Sequence, residues 1–167
     1  MIEQKHHTRD TLLERFDALG LATTTVDHAP VFTVEEAREE CGHMPGAHCK
    51  NLFLKDKKGI LWLVVALENR LINMKDLKSR IGSHHLSFGK PELLMEVLGV
   101  EPGSVTPFAL INDMDKRCNV VLDSEMMGFD VLNYHPLIND ATTTLKPDDL
   151  LKFISSCGFV AAVIDLA

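Results

Sequence analysis

Two apolar runs, Leu52-Phe53-Leu54 and Ile60 to Leu67, stand on either side of Lys55-Asp56-Lys57-Lys58-Gly59 and leave this chain little freedom locally. Three large apolar residues in succession predict a strand covered on both faces. The Lys-Lys-Gly turn then returns the chain as an antiparallel hairpin, with Trp62 packed inside it. Met44-Pro45-Gly46 is a turn just upstream. Lys50 and Asn51 are therefore expected at the mouth of the first strand, between that turn and the core. From spacing alone, Lys50 is equally an edge lysine with its stem on the core and its ammonium in water.

Helical spacing of Leu12, Leu13, Phe16 and Leu19 before Gly20 predicts a helix over Thr8 to Leu19. Ala22 to Asp27 predicts a strand, ended by His28-Ala29-Pro30. Thr33 and Glu36 form a capping-box pair for a helix towards Glu40, with Val34 and Ala37 inward. Asn73 caps a helix carrying Met74, Leu77 and Ile81, Leu86 to Phe88 is a short strand, and Pro91 opens a helix through Leu98. Ala109 to Ile111 and Val120 to Leu122 read as two strands across the polar turn Asp113 to Arg117. Val131 to Tyr134 is a further strand with His135 at its end, Pro147 opens a last helix, and Val160 to Ile164 is a last strand. Strands and helices mix without regular alternation. This predicts one α+β domain over residues 1–167, a mixed, mostly antiparallel sheet with peripheral helices.

At 167 residues the chain is long enough for one domain with a real core. Four cysteines without a Cys-x-x-Cys pair, no charged-then-apolar leader and no long apolar run predict a soluble, reducing, cytoplasmic setting away from membranes. The net charge of -7 argues against DNA and against a broad nucleic-acid surface. Between Lys50 and Arg80, however, eight basic residues face three acidic ones. Such a small cationic footprint suits a protein that holds one end of an RNA, although any single lysine there also fits a solvated face.

No Gly-x-Ser-x-Gly elbow, phosphate-binding Gly-Lys-Ser/Thr loop or dinucleotide fingerprint is present, which lowers the corresponding enzyme classes. Cys41, His43, His48 and Cys49 crowd together, but adjacent His48 and Cys49 on a strand point to opposite faces, so no metal and no cofactor is expected. Cys49 and Cys118 have no local partner to activate a thiolate. His135, a lone histidine before proline, fits a capping or packing residue as readily as a base.

Met44-Pro45-Gly46 followed by Lys50-Asn51-Leu52-Phe53-Leu54-Lys55-Asp56 resembles the signature of the YbaK-like editing domains, which include the insertion domain of bacterial prolyl-tRNA synthetases. Gly103-Ser-Val-Thr-Pro107, Ala109-Leu-Ile-Asn-Asp113 and His135-Pro-Leu-Ile-Asn-Asp-Ala-Thr-Thr143 resemble its later segments in the same order. The turn and the lack of further domains look most like the freestanding alanyl-tRNA(Pro) deacylases. The resemblance implies hydrolysis of the ester joining a mischarged amino acid to the tRNA 3′ end, with the tRNA acceptor end and prolyl-tRNA synthetase as partners. It assigns catalytic positions to Lys50, which anchors the terminal phosphate, Gly103, which orients the carbonyl with Ser104, and His135, at the aminoacyl pocket. Substrate contacts fall to Met44, Pro45, Gly46, Asn51, Phe53, Ser104 and Asn112, with a core role for Phe53 equally open. Cysteinyl or other small aminoacyl charges, and a non-catalytic module that holds tRNA ends or the synthetase, are the alternatives.

Overall fold

The computed structural model describes residues 6–167; residues 1–5 of the expected domain lie outside it. In chain order the elements are α1 Arg9–Ala18, β1 Thr24–Asp27, α2 Val34–Cys41, β2 Ala47–Asp56, β3 Leu61–Leu67, α3 Met74–Ile81, β4 Leu86–Phe88, α4 Pro91–Leu98, β5 Cys118–Asp123, β6 Leu132–Tyr134, β7 Ala141–Leu145, α5 Pro147–Ser156 and β8 Ala162–Ile164. The central hairpin forms because Gly59 takes a φ of +83°, open to glycine at little cost. Asp56 fixes the same turn, its Oδ1 accepting from the N–H groups of Lys58 (2.9 Å) and Ile60 (3.0 Å).

The strands form one mixed sheet in the order β1-β7-β6-β2-β3-β5-β8, with β4 beside β2. β2 is the pivot: it pairs antiparallel with β3 and β4 and parallel with β6. β3–β5 and β5–β8 are also parallel. Alternation along β2 and β3 sends Ala47, Phe53, Leu63 and Val65 into a large core and Leu54, Val64 and Ala66 into a smaller one on the other face. Both faces are covered, as the apolar run predicts. Phe16 of α1, Phe153 of α5 and Phe108 meet edge-on in the large core, with ring centroids 4.9–5.5 Å apart. Leu77 of α3 packs in the smaller core.

The capping residues Thr8, Thr33 and Asn73 each accept from the first turn of their helices. At α2 the reciprocal arm is displaced: the Glu36 carboxylate accepts from Phe32 N–H (2.7 Å) rather than from Thr33. Ala37 is half-buried, and the inward placement expected of the Val34 side chain lies outside the described residues. Residues 109–111 correct the sequence reading. They lie in a 3-10 helix, Pro107–Asn112, because Thr106 caps it and Pro107 supplies a preset first residue. β5 accordingly pairs with β3 and β8 rather than with that segment. Trp62 is half-buried against the smaller core, and Val160 is exposed outside β8.

Candidate active site

The Met44-Pro45-Gly46 turn is bound tightly to the sheet. Gly46 has a φ of +95°, and a Cβ there would come within 2.4 Å of the Val131 carbonyl oxygen, so no side chain fits. Asn133 of β6 reaches across, its Nδ2 donating to the carbonyls of Pro45 (2.9 Å) and Ala47 (3.0 Å). A His48 ring nitrogen completes the fastening at the Met44 carbonyl (2.9 Å).

Beside this turn, β2, β6 and the start of β7 enclose a chamber of about 60 Å³ lined by Cys49, Asn51, Tyr134, His135 and Thr142. A larger cleft of about 400 Å³ adjoins it, with Arg38, Gly46, Asn69 and Phe129 on its walls. His48 and Glu68 border both spaces. Backbone pairing sets that border, since Glu68 N–H donates to the His48 carbonyl (2.9 Å). Glu68 also accepts from Arg38 Nε (2.6 Å) of α2.

The chamber is electrostatically quiet apart from Glu68. His135 Nδ1–H donates to the Ala141 carbonyl (2.8 Å), which fixes the tautomer and leaves Nε2 as an acceptor. Burial lowers the pKa of this imidazole from its ordinary value, the Ala141 hydrogen bond opposes that, and nearby His28 adds to the lowering. The His28 ring lies 6.1 Å from that of His135 and is held at Ala29 and Thr142. Burial pushes the Cys49 thiol up to about 12 and raises Cys41 as well. Neither is a thiolate near neutral pH, so the site has no thiol nucleophile. Asn51 Oδ1 is buried without a hydrogen-bond donor.

The sequence profile of the family described as aminoacyl-tRNA editing domain matches residues 28–153. The chain belongs to this editing family. It is 43% identical over 155 residues to the prolyl-tRNA synthetase associated domain-containing protein 1 of Bos taurus, covering 90% of each chain. It is 34% identical over 159 residues to the prolyl-tRNA editing protein ProX of Acetoanaerobium sticklandii, covering 95% of this chain and 97% of that protein. Among solved structures, a candidate trans-editing enzyme for prolyl-tRNA synthetase superposes with a TM-score of 0.71 at 19% identity, over 98% of this chain and all (100%) of that one, which establishes the shared fold. Editing is deacylation, so this editing domain is a hydrolase of aminoacyl esters.

The positions assigned to the editing site by sequence do not all converge. Asn51 and His135 line the small chamber, Gly46 lines the cleft, and Met44 and Pro45 hold the turn through their carbonyls. Lys50 is not at a strand mouth, because β2 begins three residues earlier at Ala47 and Lys50 pairs with Ala66 in mid-strand. Alternation puts it on the face of Leu52 and Leu54, where its ammonium donates to the Arg70 carbonyl. Burial lowers its pKa, and the Arg70 charge adds to that. Arg70 is itself held by the fully buried Asp123 at 2.7 Å.

Gly103 borders neither space. It packs against the loop after β6, where a Cβ would stand 3.7 Å from Asn139 Nδ2 and 3.6 Å from Phe32, ordinary contacts that do not demand glycine. Ser104 N–H donates to the Glu101 carbonyl (2.9 Å) and closes the turn that carries Gly103. Phe53 is a core residue, 4% exposed and borders neither space. Asn112 is committed elsewhere: it accepts from His7 N–H (2.7 Å) and donates to the Leu98 carbonyl (2.9 Å), tying the start of the described chain to the end of α4. Sequence reasoning passed over Glu68, Thr142 and Asn133. Glu68 left a signal as the acidic residue immediately after the apolar run of β3, and Thr142 as a member of the segment from His135 to Thr143.

No helix among the described residues is long and apolar enough to cross a membrane.

Proposed function

We propose that this editing domain hydrolyses alanyl-tRNA(Pro) in the cytoplasm, in trans to prolyl-tRNA synthetase. The observation that carries the reading is the pairing of a chamber of about 60 Å³ with a cleft of about 400 Å³ at one border. The cleft is of the size that accepts a nucleotide-scale ligand. The chamber holds about two to four water-sized groups. A methyl group with its neighbouring amine fits that space, whereas the three methylenes and the nitrogen of a prolyl ring take up the upper limit of about four groups. The relatives named for prolyl-tRNA editing and prolyl-tRNA synthetase association support tRNA(Pro) as the carrier. A second sieve of this kind is physically useful, because a synthetase pocket built for proline rejects a smaller side chain by only about 1–3 kcal/mol.

In this reading the ester enters from the cleft with its side chain in the chamber. His135 Nε2 is an acceptor that orients the attacking water or the neighbouring ribose hydroxyl, and Asn51 contacts the aminoacyl end. Lys50 acts from the other face of β2 by holding the Leu67–Arg70 segment, with the tRNA phosphate as a second partner for its ammonium. Gly103 and Asn139 support the loop that carries His135. Positioning supplies the acceleration, since the ester is already activated. The test is release of amino acid from tRNA(Pro) charged with alanine, serine, cysteine or proline. Alanyl release well above spontaneous hydrolysis with prolyl-tRNA spared supports the reading. Preferred cysteinyl release moves the specificity, and no release from any charge leaves a binding module.

A further inference from the structure

We infer that Glu68 and Asn51 form a subsite for the α-ammonium group of the bound aminoacyl ester; the inference rests on the deacylase reading above. Four observations meet at this point. Among the described residues Glu68 is the only acidic side chain lining the small chamber, its side chain is 16% exposed, and it stands at the border with the cleft. Asn51 lines the same chamber, and its Oδ1 is buried without a donor. A buried acceptor left unmatched is costly, and a ligand that brings N–H groups removes that cost.

The rest of the wall does not oppose a cation. The Cys41 and Cys49 thiols are pushed up and His135 is pushed down, so all three are neutral near pH 7. One carboxylate and one amide oxygen suit an ammonium ion, which needs acceptors rather than a full coordination shell. Among the described residues no group of three or more His, Cys, Asp or Glu side chains is placed to hold a metal.

Glu68 already has one cationic partner, Arg38, through Oε1. That partner is 61% exposed in its side chain and sits on α2, so the arginine end of the pair is open to solvent. Glu68 Oε2 has no hydrogen-bond partner among the described residues and is the atom offered to the ligand. The backbone bond between Glu68 and His48, and the Lys50 contact to Arg70 two residues on, hold the carboxylate at the chamber mouth. The charge of the substrate amine thereby becomes a recognition element beside the size of its side chain. An ester whose amine has been replaced by a neutral group loses it.

The experiment compares alanyl-tRNA(Pro) with the lactyl ester of the same tRNA, in which a hydroxyl replaces the ammonium at nearly constant size. Rates of kcat/KM are divided by spontaneous hydrolysis of each ester. The wild-type protein should prefer the alanyl ester by about tenfold or more, the scale of a charge-assisted hydrogen bond. Glu68→Gln should remove that preference, lowering the alanyl rate and leaving the lactyl rate within about twofold. Its thermal melt should not move, since Gln still accepts from Arg38. Asn51→Ala should lower both rates, the alanyl ester more than the lactyl ester, whose hydroxyl donates without a charge. Equal losses on both esters, or a wild-type protein that hydrolyses both without preference, overturn the ammonium subsite and leave the deacylase reading standing. A wild-type protein that hydrolyses neither ester overturns both.

Discussion

Replacing Asp123 by alanine removes the anchor behind the Lys50 and Glu68 segment. Asp123 is fully buried, and its carboxylate accepts from Leu67 N–H (3.2 Å), Arg70 Nε (2.7 Å) and Glu125 N–H (3.1 Å). Arg70 is only 11% exposed in its side chain. Without Asp123 its guanidinium retains only the pair with Glu125 at the surface, and two backbone donors lose their acceptor. Breaking a buried pair by deleting one partner costs about 3–5 kcal/mol. For a chain of this length each kcal/mol moves the melting temperature by about 2–4 °C, so Asp123→Ala should melt roughly 6–20 °C below the wild type. Asp123→Asn, which keeps an acceptor oxygen but not the charge, should lie between them. Urea unfolding followed through the single tryptophan, Trp62, measures the difference in a chain with no other indole. Because Arg70 offers the carbonyl that Lys50 grips, deacylation by the folded fraction should also fall. A stability loss below about 1 kcal/mol for Asp123→Ala would refute the reasoning, since it would mean that water screens Arg70 as it screens a surface ion.

Lys50→Met keeps the aliphatic stem and deletes the ammonium, and should lower kcat/KM by about one to two decades with a melting change of only a few degrees; near-normal activity would return Lys50 to an edge lysine. Gly46→Ala forces a side chain against the Val131 backbone at a left-handed φ, and should cost about 2–4 kcal/mol in urea unfolding together with the activity of the turn beside the cleft. Cys49, with its thiol at about 12, should resist iodoacetamide at neutral pH, and Cys49→Ala should keep turning over; a rate collapse in that folded variant would restore a thiol mechanism. For His135 the folded pKa lies below the ordinary value of about 6.5, so as pH falls below that value the unfolded chain takes up a proton that the folded chain refuses. Stability should therefore decline from about pH 6.5 down to the folded pKa and then level off, and urea midpoints for His135→Gln should lack that step.

Local chemistry was legible in this sequence, while pairing across the sheet was not. Asp56, Gly59, Thr8, Asn73, Pro91 and Pro147 act within a few residues of themselves, so the hairpin and helix starts could be read directly. Ala109 to Ile111 is a short apolar run, and periodicity over three residues does not separate a strand from a 3-10 turn; Thr106 and Pro107 decided it. The start of β2 at Ala47 escapes local signals for a different reason. Its first residues are held by β6, more than eighty positions away, through Ala47↔Leu132 and His48↔Asn133.

That distant pairing also decides the site. Strand alternation means that neighbouring Lys50 and Asn51 point to opposite faces of β2. The sequence places them side by side, and only the register against β6 and β3 tells which of the two meets His135. Asn51 lines the chamber together with His135, and Lys50 donates to the Arg70 carbonyl. A slip of one residue would exchange the two and carry every core side chain of β2 to the wrong face, so the packing of Phe53 and Leu54 in their separate cores fixes the placement of both. Phe53, expected either on the wall of the aminoacyl pocket or in the core, thus acts on the chamber through register: its burial in the large core fixes the face on which Asn51 lies.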